Sequence, residues 1–382
     1  MAQKFIISAT NPCHLYEMAR ELHSLNRLGR YYSGYPIWKL KGSERMPIQC
    51  YSARTLLVYG LLKFVPERYR FSNCSLFRWQ DEAFDRAVAL SLSDDSPVVA
   101  IPGQALETFR IAKRLGAKTI LSHATGPLQT WIHLVKEEFQ RVGSSFDRFS
   151  PVDSETLSRH QEEYEVADFH WVPSQIVKAQ LIQGGIAEER IRVIAFGANP
   201  TIYHQGEGVK RSKQILFAGQ LTWRKGLRLL DQVIPLLSPE VEIEFAGPFL
   251  EESREWVRKW SRDPRVKFLG PLSSERLAEK MRKAQLLILP SVEESFGLVV
   301  VQALSCGTPC LVSDRVGAQD LIISGENGAI LSWDSPESWS QAIEHWLRNP
   351  RQTQGDYSWK RQSALFLNEF YTTVTDDGEV EK

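Results

Sequence analysis

The chain of 382 residues is too long for one ordinary hydrophobic core and has the size of two domains of roughly 150 to 200 residues each. With 43% hydrophobic and 24% charged residues, its composition is globular and excludes a disordered chain. The formal net charge is zero. A nucleic-acid-binding protein is therefore not expected, because the chain lacks the basic excess that such proteins carry.

Charge is nevertheless unevenly distributed along the chain. Residues 1–80 contain 12 Lys or Arg and 4 Asp or Glu, a balance of 12 − 4 = +8, so the remainder carries −8. Within this basic part, residues 53–71 (ARTLLVYGLLKFVPERYRF) mix apolar side chains with four basic ones, Arg54, Lys63, Arg68 and Arg70. The mixture suits peripheral contact with an anionic membrane surface. A packed helix whose basic side chains extend to solvent explains it equally well.

The chain has no run near the roughly 20 apolar residues that span a bilayer. Its first residues, MAQKFIISATNPC, predict a strand and not a signal peptide. Five cysteines without paired spacing fit a reducing compartment. We therefore expect a cytoplasmic protein, with any membrane contact at the inner face.

Short β-branched runs recur at helix-length intervals, which is typical of parallel strands joined by crossover helices. Five runs in each half of the chain predict strands, beginning at Lys4, Val98, Lys118, Phe169 and Arg192, then at Gln214, Val241, Val266, Leu286 and Pro309. The pattern predicts an α/β fold of two Rossmann-like, doubly wound domains that face each other across a cleft.

A segment rich in Gly, Pro and polar residues, 197–213, separates the two sets of strands. We place a first domain at residues 1–200 and a second at 207–350. Doubly wound sheets bind ligands at the carboxyl ends of their strands, so functional motifs are expected directly after strands.

The first such motif follows the strand QILFAGQ, where Arg224 and Lys225 precede Gly226 at the start of a helix. Two cations, helix N–H groups and the helix dipole together suit a phosphate or a diphosphate leaving group. A solvent-exposed basic turn that binds no ligand is the alternative explanation of these residues. The next strand ends in Gly247, which allows a ligand to approach the backbone closely.

The second motif is PSVEESFGLVVVQALSCGTP, residues 290–309, with Glu293 and Glu294 in a loop. A helix is predicted to begin near Phe296 or Gly297. Carboxylates there can simply complement the helix dipole. They can also accept hydrogen bonds from sugar hydroxyls.

The start of this helix offers further donors and acceptors. The free N–H groups of Phe296, Gly297 and Leu298 can meet hydroxyl or phosphate oxygens. Gln302, one turn after Leu298, can direct its amide toward the same cleft, where a ribose diol would satisfy it.

These motifs carry a resemblance to a known family. The segments FAGQLTWRKG, ILPSVEESFGLVVVQALSCGTPCLVSDRVGAQDLI and ENGAIL resemble the donor-binding domain of family 4 glycosyltransferases of the GT-B fold. The similarity is strong over about residues 212–350 and weaker over most of the remaining chain. DYSWKRQSALFLNEFY, within about residues 357–375, resembles the last helix of this fold, which packs back on the first domain.

The resemblance implies a retaining transfer of sugar from a nucleotide sugar to an acceptor, in polysaccharide or glycolipid assembly. It makes Lys225 the diphosphate ligand and Glu294 the first acid of a Glu-x7-Glu motif that contacts the donor sugar. The remaining donor-binding positions that it implies are Gly219, Gln220, Gly247, Phe296, Gly297, Leu298 and Gln302.

Two positions depart from the family pattern. Gln220 stands where the family often has Arg, and Gln302 stands at the second acid of the motif. Arg224 could supply the missing cation beside Lys225. An amide at 302 can still bind ribose, so we interpret Glu-x7-Gln as a tolerated variant.

No Asp-x-Asp pattern follows a strand, so we expect no metal and no cofactor, with Lys225, Arg224 and helix dipoles neutralising the diphosphate. On the acceptor side, His14 and His123 follow predicted strands and could line the cleft. Hydrogen-bonded structural imidazoles are an equally good explanation of both.

Two other functions remain open at this stage. A nucleotide-sugar epimerase on the same fold would act on the nucleotide sugar without an acceptor. A non-catalytic sugar-nucleotide binding protein is favoured by Gln220 and Gln302, and it would bind tightly without turnover.

Overall fold

The computed structural model describes residues 3–66, 69, 71–146, 152–206 and 208–375, with side chains as far as residue 371. Arg68 and Arg70 of the basic apolar stretch lie outside the described residues. In the described part, the strands form two parallel sheets of seven and six strands. None of the helices described is long and apolar enough to cross a membrane.

The first sheet has the strand order β3-β2-β1-β4-β5-β6-β7. Its strands are β1 Phe5–Ala9, β2 Leu28–Ser33, β3 Ile48–Cys50, β4 Val98–Ala100, β5 Thr119–Ser122, β6 Phe169–Val172 and β7 Ile191–Val193. Every residue of β1, β4 and β5 is buried. Such continuous burial follows from helices that cover both faces of a parallel sheet.

The second sheet has the order β10-β9-β8-β11-β12-β13. Its strands are β8 Ser212–Ala218, β9 Glu242–Ala246, β10 Val266–Gly270, β11 Ala284–Leu289, β12 Cys310–Ser313 and β13 Gly328–Leu331. The predicted boundary at residues 200–207 lies between the last strand of the first sheet and β8.

Helices connect the strands of each sheet. They are α1 His14–Ser24, α2 Ala53–Phe64, α3 Asn73–Ala89, α4 Leu106–Arg114, α5 Leu128–Arg141, α6 Ser154–Val166, α7 Gln175–Gln183, α8 Leu227–Val233, α9 Arg254–Trp260, α10 Ser274–Lys283, α11 Leu298–Ser305, α12 Pro336–Arg348 and α13 Trp359–Thr375. The last of these helices packs against α1. Its Phe366 also contacts Phe5 of β1 and Trp171 of β6 in the first domain, at ring-centroid distances of 5.2 and 5.1 Å.

The strand order reverses once in each sheet, between β1 and β4 in the first and between β8 and β11 in the second. At such a point the connections leave toward opposite faces of the sheet. The loops after the two strands therefore open a crevice at the carboxyl edge, where open α/β sheets bind ligands. In the second sheet these two loops are the motifs that the sequence singles out.

The predicted α/β class with two doubly wound sheets is confirmed, and each of the ten predicted strands is present. Three strands were missed. Both β3 and β13 have no more than four residues, and β2 (LGRYYS) opens with Gly and Arg after its first residue, so none carries a clear β-branched run.

Candidate donor site

The first motif forms a tight turn at the carboxyl end of β8. A single 3-10 turn, Trp223–Lys225, leads to Gly226, which has a φ of 85°. A Cβ at this position would lie 2.0 Å from the carbonyl oxygen of Pro290. Only glycine meets both conditions. The loop after β8 is therefore fixed directly against the loop after β11.

The second motif joins β11 to α11. Gly297 caps the helix with a φ of 96°, and a Cβ there would lie 3.0 Å from Leu289. The helix thus begins at Leu298, directly after the predicted start. Among the described residues, the N–H groups of Phe296, Gly297 and Leu298 donate no hydrogen bond. They remain available to a ligand at the start of α11.

The two loops bring the predicted cations and carboxylates together. Arg224 Nη1 donates to the carbonyl oxygen and to Oε2 of Glu293, at 2.9 and 3.2 Å. Lys225 Nζ donates to Glu294 Oε2. The structure therefore places all three predicted catalytic residues, Lys225, Arg224 and Glu294, in one cluster.

The environment of Lys225 strengthens its electrostatic interactions. Only 9% of this residue is exposed. Burial and the neighbouring Arg224 charge lower the pKa of Lys225 well below its usual range, and the Glu293 carboxylate opposes that shift. A diphosphate that enters here supplies negative charge at a site with little water to screen it, so the attraction is larger than at the surface.

Gln302 lies on the open side of α11, one turn after Leu298, which is 39% exposed. Its side chain is half-buried and has no hydrogen-bond partner in the part of the chain that the structure describes. Gln220 is exposed on the first loop. Both amides are therefore free to contact a ligand.

Gly219 and Gly247 allow the backbones at the ends of β8 and β9 to pack against each other. A Cβ on Gly247 would lie 1.9 Å from the Gly219 carbonyl oxygen, and both residues have positive φ, 146° and 148°. The sequence alone suggested close approach of a ligand at Gly247. The structure provides a different reason for glycine here, because the two loops touch backbone to backbone.

Neither predicted acceptor-side imidazole lies on an open surface. His14 bonds Ser122 Oγ through Nε2 at 2.8 Å and stacks on Phe196 at 4.1 Å. His123 is completely buried, and its Nε2 lies 3.0 Å from Nδ1 of His170. Burial lowers the pKa of His14 to about 3 and that of His123 well below its usual range. Contact of either ring with a sugar stays a prediction.

Ser295, which the sequence analysis passed over, links the two domains at the donor loop. Its Oγ accepts from Gly126 N at 2.7 Å and donates to Glu293 Oε1 at 3.0 Å. Its carbonyl oxygen accepts from Ser174 Oγ at 2.8 Å. The partners in the first domain are 169 and 121 residues away, so no local pattern could reveal these bonds.

The acidic and imidazole side chains of the described residues are too dispersed to act together as metal ligands. Within the described ranges, no group of three or more His, Cys, Asp or Glu side chains could hold a metal ion. The positive charges of the cluster are those of Lys225 and Arg224, which form ion pairs with Glu294 and Glu293.

Both loops lie within residues 201–361, which match the family model described as glycosyl transferases group 1. The chain therefore carries a glycosyltransferase domain. This match confirms, for the second half of the chain, the class of enzyme that the sequence motifs predicted.

Among curated proteins, the chain is similar to a D-inositol 3-phosphate glycosyltransferase from Rhodococcus erythropolis strain PR4. The two are 28% identical over 191 residues, which are 44% of this chain and 42% of that protein. The chain thus spans less than half the length of this curated relative.

Solved structures resemble the chain over nearly its whole length. HepE from Anabaena, in complex with UDP, is 17% identical with a TM-score of 0.63, and the match covers 99% of this chain and 98% of that one. Sucrose-phosphate synthase from Thermosynechococcus elongatus is 16% identical with a TM-score of 0.69, over 98% and 100%. These similarities confirm the predicted GT-B fold.

Proposed function

We propose that this protein is a retaining glycosyltransferase of family 4, which transfers a sugar from a nucleotide sugar to an acceptor in glycan or glycolipid assembly. The observation that carries the proposal is the cluster of Lys225, Arg224 and Glu294 at the crevice of the second sheet, beside the unpaired N–H groups of α11.

Each group has a role in the proposed reaction. Lys225 and Arg224 bind the diphosphate and stabilise the negative charge that grows as it departs. Glu294 accepts hydrogen bonds from two hydroxyls of the donor sugar, and the N–H groups at the start of α11 bind oxygens of the same donor. Gln302 binds the ribose diol. HepE in complex with UDP supports uridine as the first nucleotide to test.

The proposed mechanism retains the anomeric configuration without a protein nucleophile. The departing diphosphate takes the proton of the acceptor hydroxyl on the same face of the sugar as the bond that breaks. The proposal includes no metal, because the cations and helix N–H groups neutralise the leaving group. Contact between the two domains at Ser295 closes the crevice over the donor and holds the reacting groups in position, so that the sugar passes to the acceptor or, in its absence, slowly to water.

We also propose peripheral contact with the inner face of a membrane through α2. Of its twelve residues only Thr55 and Val58 are buried, while Leu57 and Phe64 are 52% and 76% exposed. Exposed apolar side chains on a domain with excess positive charge suit an anionic lipid surface. Cosedimentation with phosphatidylglycerol vesicles at low salt, reduced in Phe64→Ser and absent with phosphatidylcholine, is the expected result; no cosedimentation would contradict this contact.

Proton NMR of donor hydrolysis tests the transferase proposal. The protein is incubated with UDP-, GDP- or ADP-glucose, with and without EDTA. We expect one donor to release glucose first as the α-anomer, at a rate that EDTA leaves unchanged and Lys225→Ala abolishes. First release of the β-anomer would contradict retention, and loss of activity in EDTA would contradict the metal-free mechanism.

The two amides favour a second candidate, a non-catalytic sugar-nucleotide binding protein. Gln220 and Gln302 both stand where the family pattern has charged residues. Neutral amides interact less strongly with the diphosphate and the ribose than charged side chains do. Saturable binding of a nucleotide sugar without release of sugar, under the conditions of the same NMR experiment, would favour this candidate.

A further inference from the structure

A second polar cluster lies in the first domain, at the carboxyl ends of β1 and β4. Thr10 follows β1 and is completely buried. Its N–H donates to Gln104 Oε1 at 2.6 Å, and its Oγ1 donates to Asp81 Oδ1 at 2.8 Å. Gln104 follows β4 and Asp81 belongs to α3. The cluster therefore joins the two strands that flank the crevice of the first sheet.

Asp81 keeps one carboxylate oxygen open. Gln80 Nε2 also donates to Oδ1, at 3.2 Å, so both hydrogen bonds reach the same oxygen. Across the described residues, no group donates to Oδ2, and the side chain is partly exposed. Burial raises the pKa of Asp81 to about 6 against the opposing hydrogen bonds from Thr10 and Gln80. At pH 7.5 the carboxylate is ionised and can accept a further hydrogen bond.

Two side-chain oxygens of residues adjacent in sequence to Thr10 and Asp81 also lack a donor. Asn11 Oδ1 and Gln80 Oε1 are buried without a hydrogen-bond partner among the residues described, and Gln80 is only 1% exposed. Buried polar atoms are rarely left unpaired, because desolvation without a hydrogen bond costs free energy. Both oxygens are closed to solvent, so a ligand reaches them only if these side chains move.

Tyr59 lies near the Asp81 carboxylate and packs on a second tyrosine, Tyr35. Tyr59 of α2 and Tyr35 have ring centroids 5.9 Å apart, and Tyr59 is 39% exposed. Burial, a hydrogen bond with Tyr35 and the nearby Asp81 charge raise the pKa of Tyr59 to about 12. Each ring offers an apolar face for the C–H groups of a ligand and a hydroxyl for its polar edge.

The cluster lies on the side of the first domain that faces the donor loops. Thr10 precedes the start of α1, where His14 stacks on Phe196 at 4.1 Å. Phe196 in turn packs on Phe296 of the donor domain at 5.3 Å. The open ends of the two crevices are thus connected by a short chain of packed rings.

We propose that Asp81, with Tyr59, forms the subsite that binds the hydroxyl groups of a polyhydroxylated ring, the acceptor of the transfer. The inference rests on the proposed function and adds the acceptor class to it. The subsite offers one open carboxylate oxygen, Asp81 Oδ2, and no described cation forms an ion pair with Asp81. Hydroxyl groups, which donate hydrogen bonds, therefore fit it better than a phosphate does.

Saturation-transfer NMR at pH 7.5 with UDP present tests the subsite. The probes are methyl α-D-glucopyranoside and myo-inositol. The variants are Asp81→Asn and Tyr59→Phe, with Glu82→Gln as the matched control, because Glu82 is the next residue of α3 and pairs with Arg86 instead.

We expect at least one probe to bind the wild type and Glu82→Gln, about tenfold weaker binding in Asp81→Asn, and weaker binding in Tyr59→Phe. Equal probe binding in the wild type and in a folded Asp81→Asn would overturn the subsite, and so would the absence of probe binding to the wild type. If Asp81→Asn does not fold, unchanged binding in Tyr59→Phe overturns it.

The UDP signals of the same samples separate this inference from the proposed function. A wild type that binds a probe but no nucleotide contradicts the donor site and leaves the hydroxyl subsite supported. A wild type that binds UDP but neither probe contradicts the subsite and leaves the donor site supported.

Discussion

Lys225 and Glu294 follow different strands of the second sheet, and the ammonium group of one donates a hydrogen bond to the carboxylate of the other. The group that we assign to the diphosphate and the group that we assign to the donor sugar therefore hydrogen-bond to each other when no donor is bound. A nucleotide sugar must compete with this ion pair for Lys225 while it gives Glu294 new donors in its sugar hydroxyls.

This competition predicts opposite effects of Glu294→Gln on binding and turnover. The variant lacks the carboxylate that holds Lys225, so UDP should bind at least as tightly as to the wild type. Donor turnover should fall by about 100-fold or more, because the contacts with the sugar that strengthen in the transition state are lost. Calorimetry with UDP and the rate of donor hydrolysis measure the two quantities. Parallel loss of both would contradict the assignment of Glu294 to the sugar.

Gln302→Ala should weaken UDP binding by about fivefold to tenfold, since one or two hydrogen bonds to the ribose are lost. Ser305→Ala is the matched control, because Ser305 lies on the same helix and, among the residues described, its hydroxyl bonds only Val301 O of that helix. Calorimetric titration of both variants measures the difference. Unchanged affinity in Gln302→Ala would remove this residue from the ribose site.

Two serine variants separate domain contact from helix capping. Ser174 caps α7 and also donates to the Ser295 carbonyl oxygen of the donor loop, whereas Ser273 caps α10 and the structure records no bond from it to the first domain. Replacement of either by Ala should lower the free energy of unfolding by about 1 kcal/mol through loss of the cap. Only Ser174→Ala should also lower the rate of donor turnover, by several-fold. Equal turnover in the two variants would show that this contact plays no part in closure.

The buried His14 predicts lower stability at acid pH. Burial lowers its pKa from 6.5 to about 3, so the folded protein binds this proton more weakly than the unfolded chain does. The contribution that neutral His14 makes to the free energy of unfolding is fully present above pH 6.5. It is lost as the pH falls toward 3, by at most about 1.4 kcal/mol per pH unit.

His14→Gln removes this titration. Between pH 7 and 5 the wild type should therefore lose more stability in urea than the variant does. His133→Gln is the control, because the side chain of His133 is 72% exposed, and it should follow the wild-type curve. Parallel curves for the wild type and His14→Gln would contradict the account.

The fold and the donor loops were predictable because their signals are local. A buried parallel strand is a short β-branched run, and each donor motif directly follows such a run. The helix start at Leu298 was predicted to within two residues, since Gly297 marks it in the sequence.

The contacts between distant segments were not predictable. The bonds of Ser295 with the first domain and the Thr10–Asp81 bond join residues that are 71 to 169 positions apart, and their geometry depends on how the strands are ordered. For the same reason the sequence could not decide whether His14 and His123 line the cleft or serve as hydrogen-bonded structural imidazoles. Their placement after strands was read correctly, but the rings and residues that cover them come from other segments.

The central claim is that a nucleotide sugar binds at Lys225. Thermal unfolding with UDP, GDP, ADP, CMP and dTDP tests it most directly, because a ligand at about 100 times its Kd adds roughly 2.7 kcal/mol of stability, which is a shift of several degrees for domains of this size. The account predicts a shift with one of these nucleotides in the wild type and in Lys213→Ala, an exposed lysine paired with Glu240, and no shift in Lys225→Ala. No shift with any nucleotide, or an equal shift in Lys225→Ala, would contradict it.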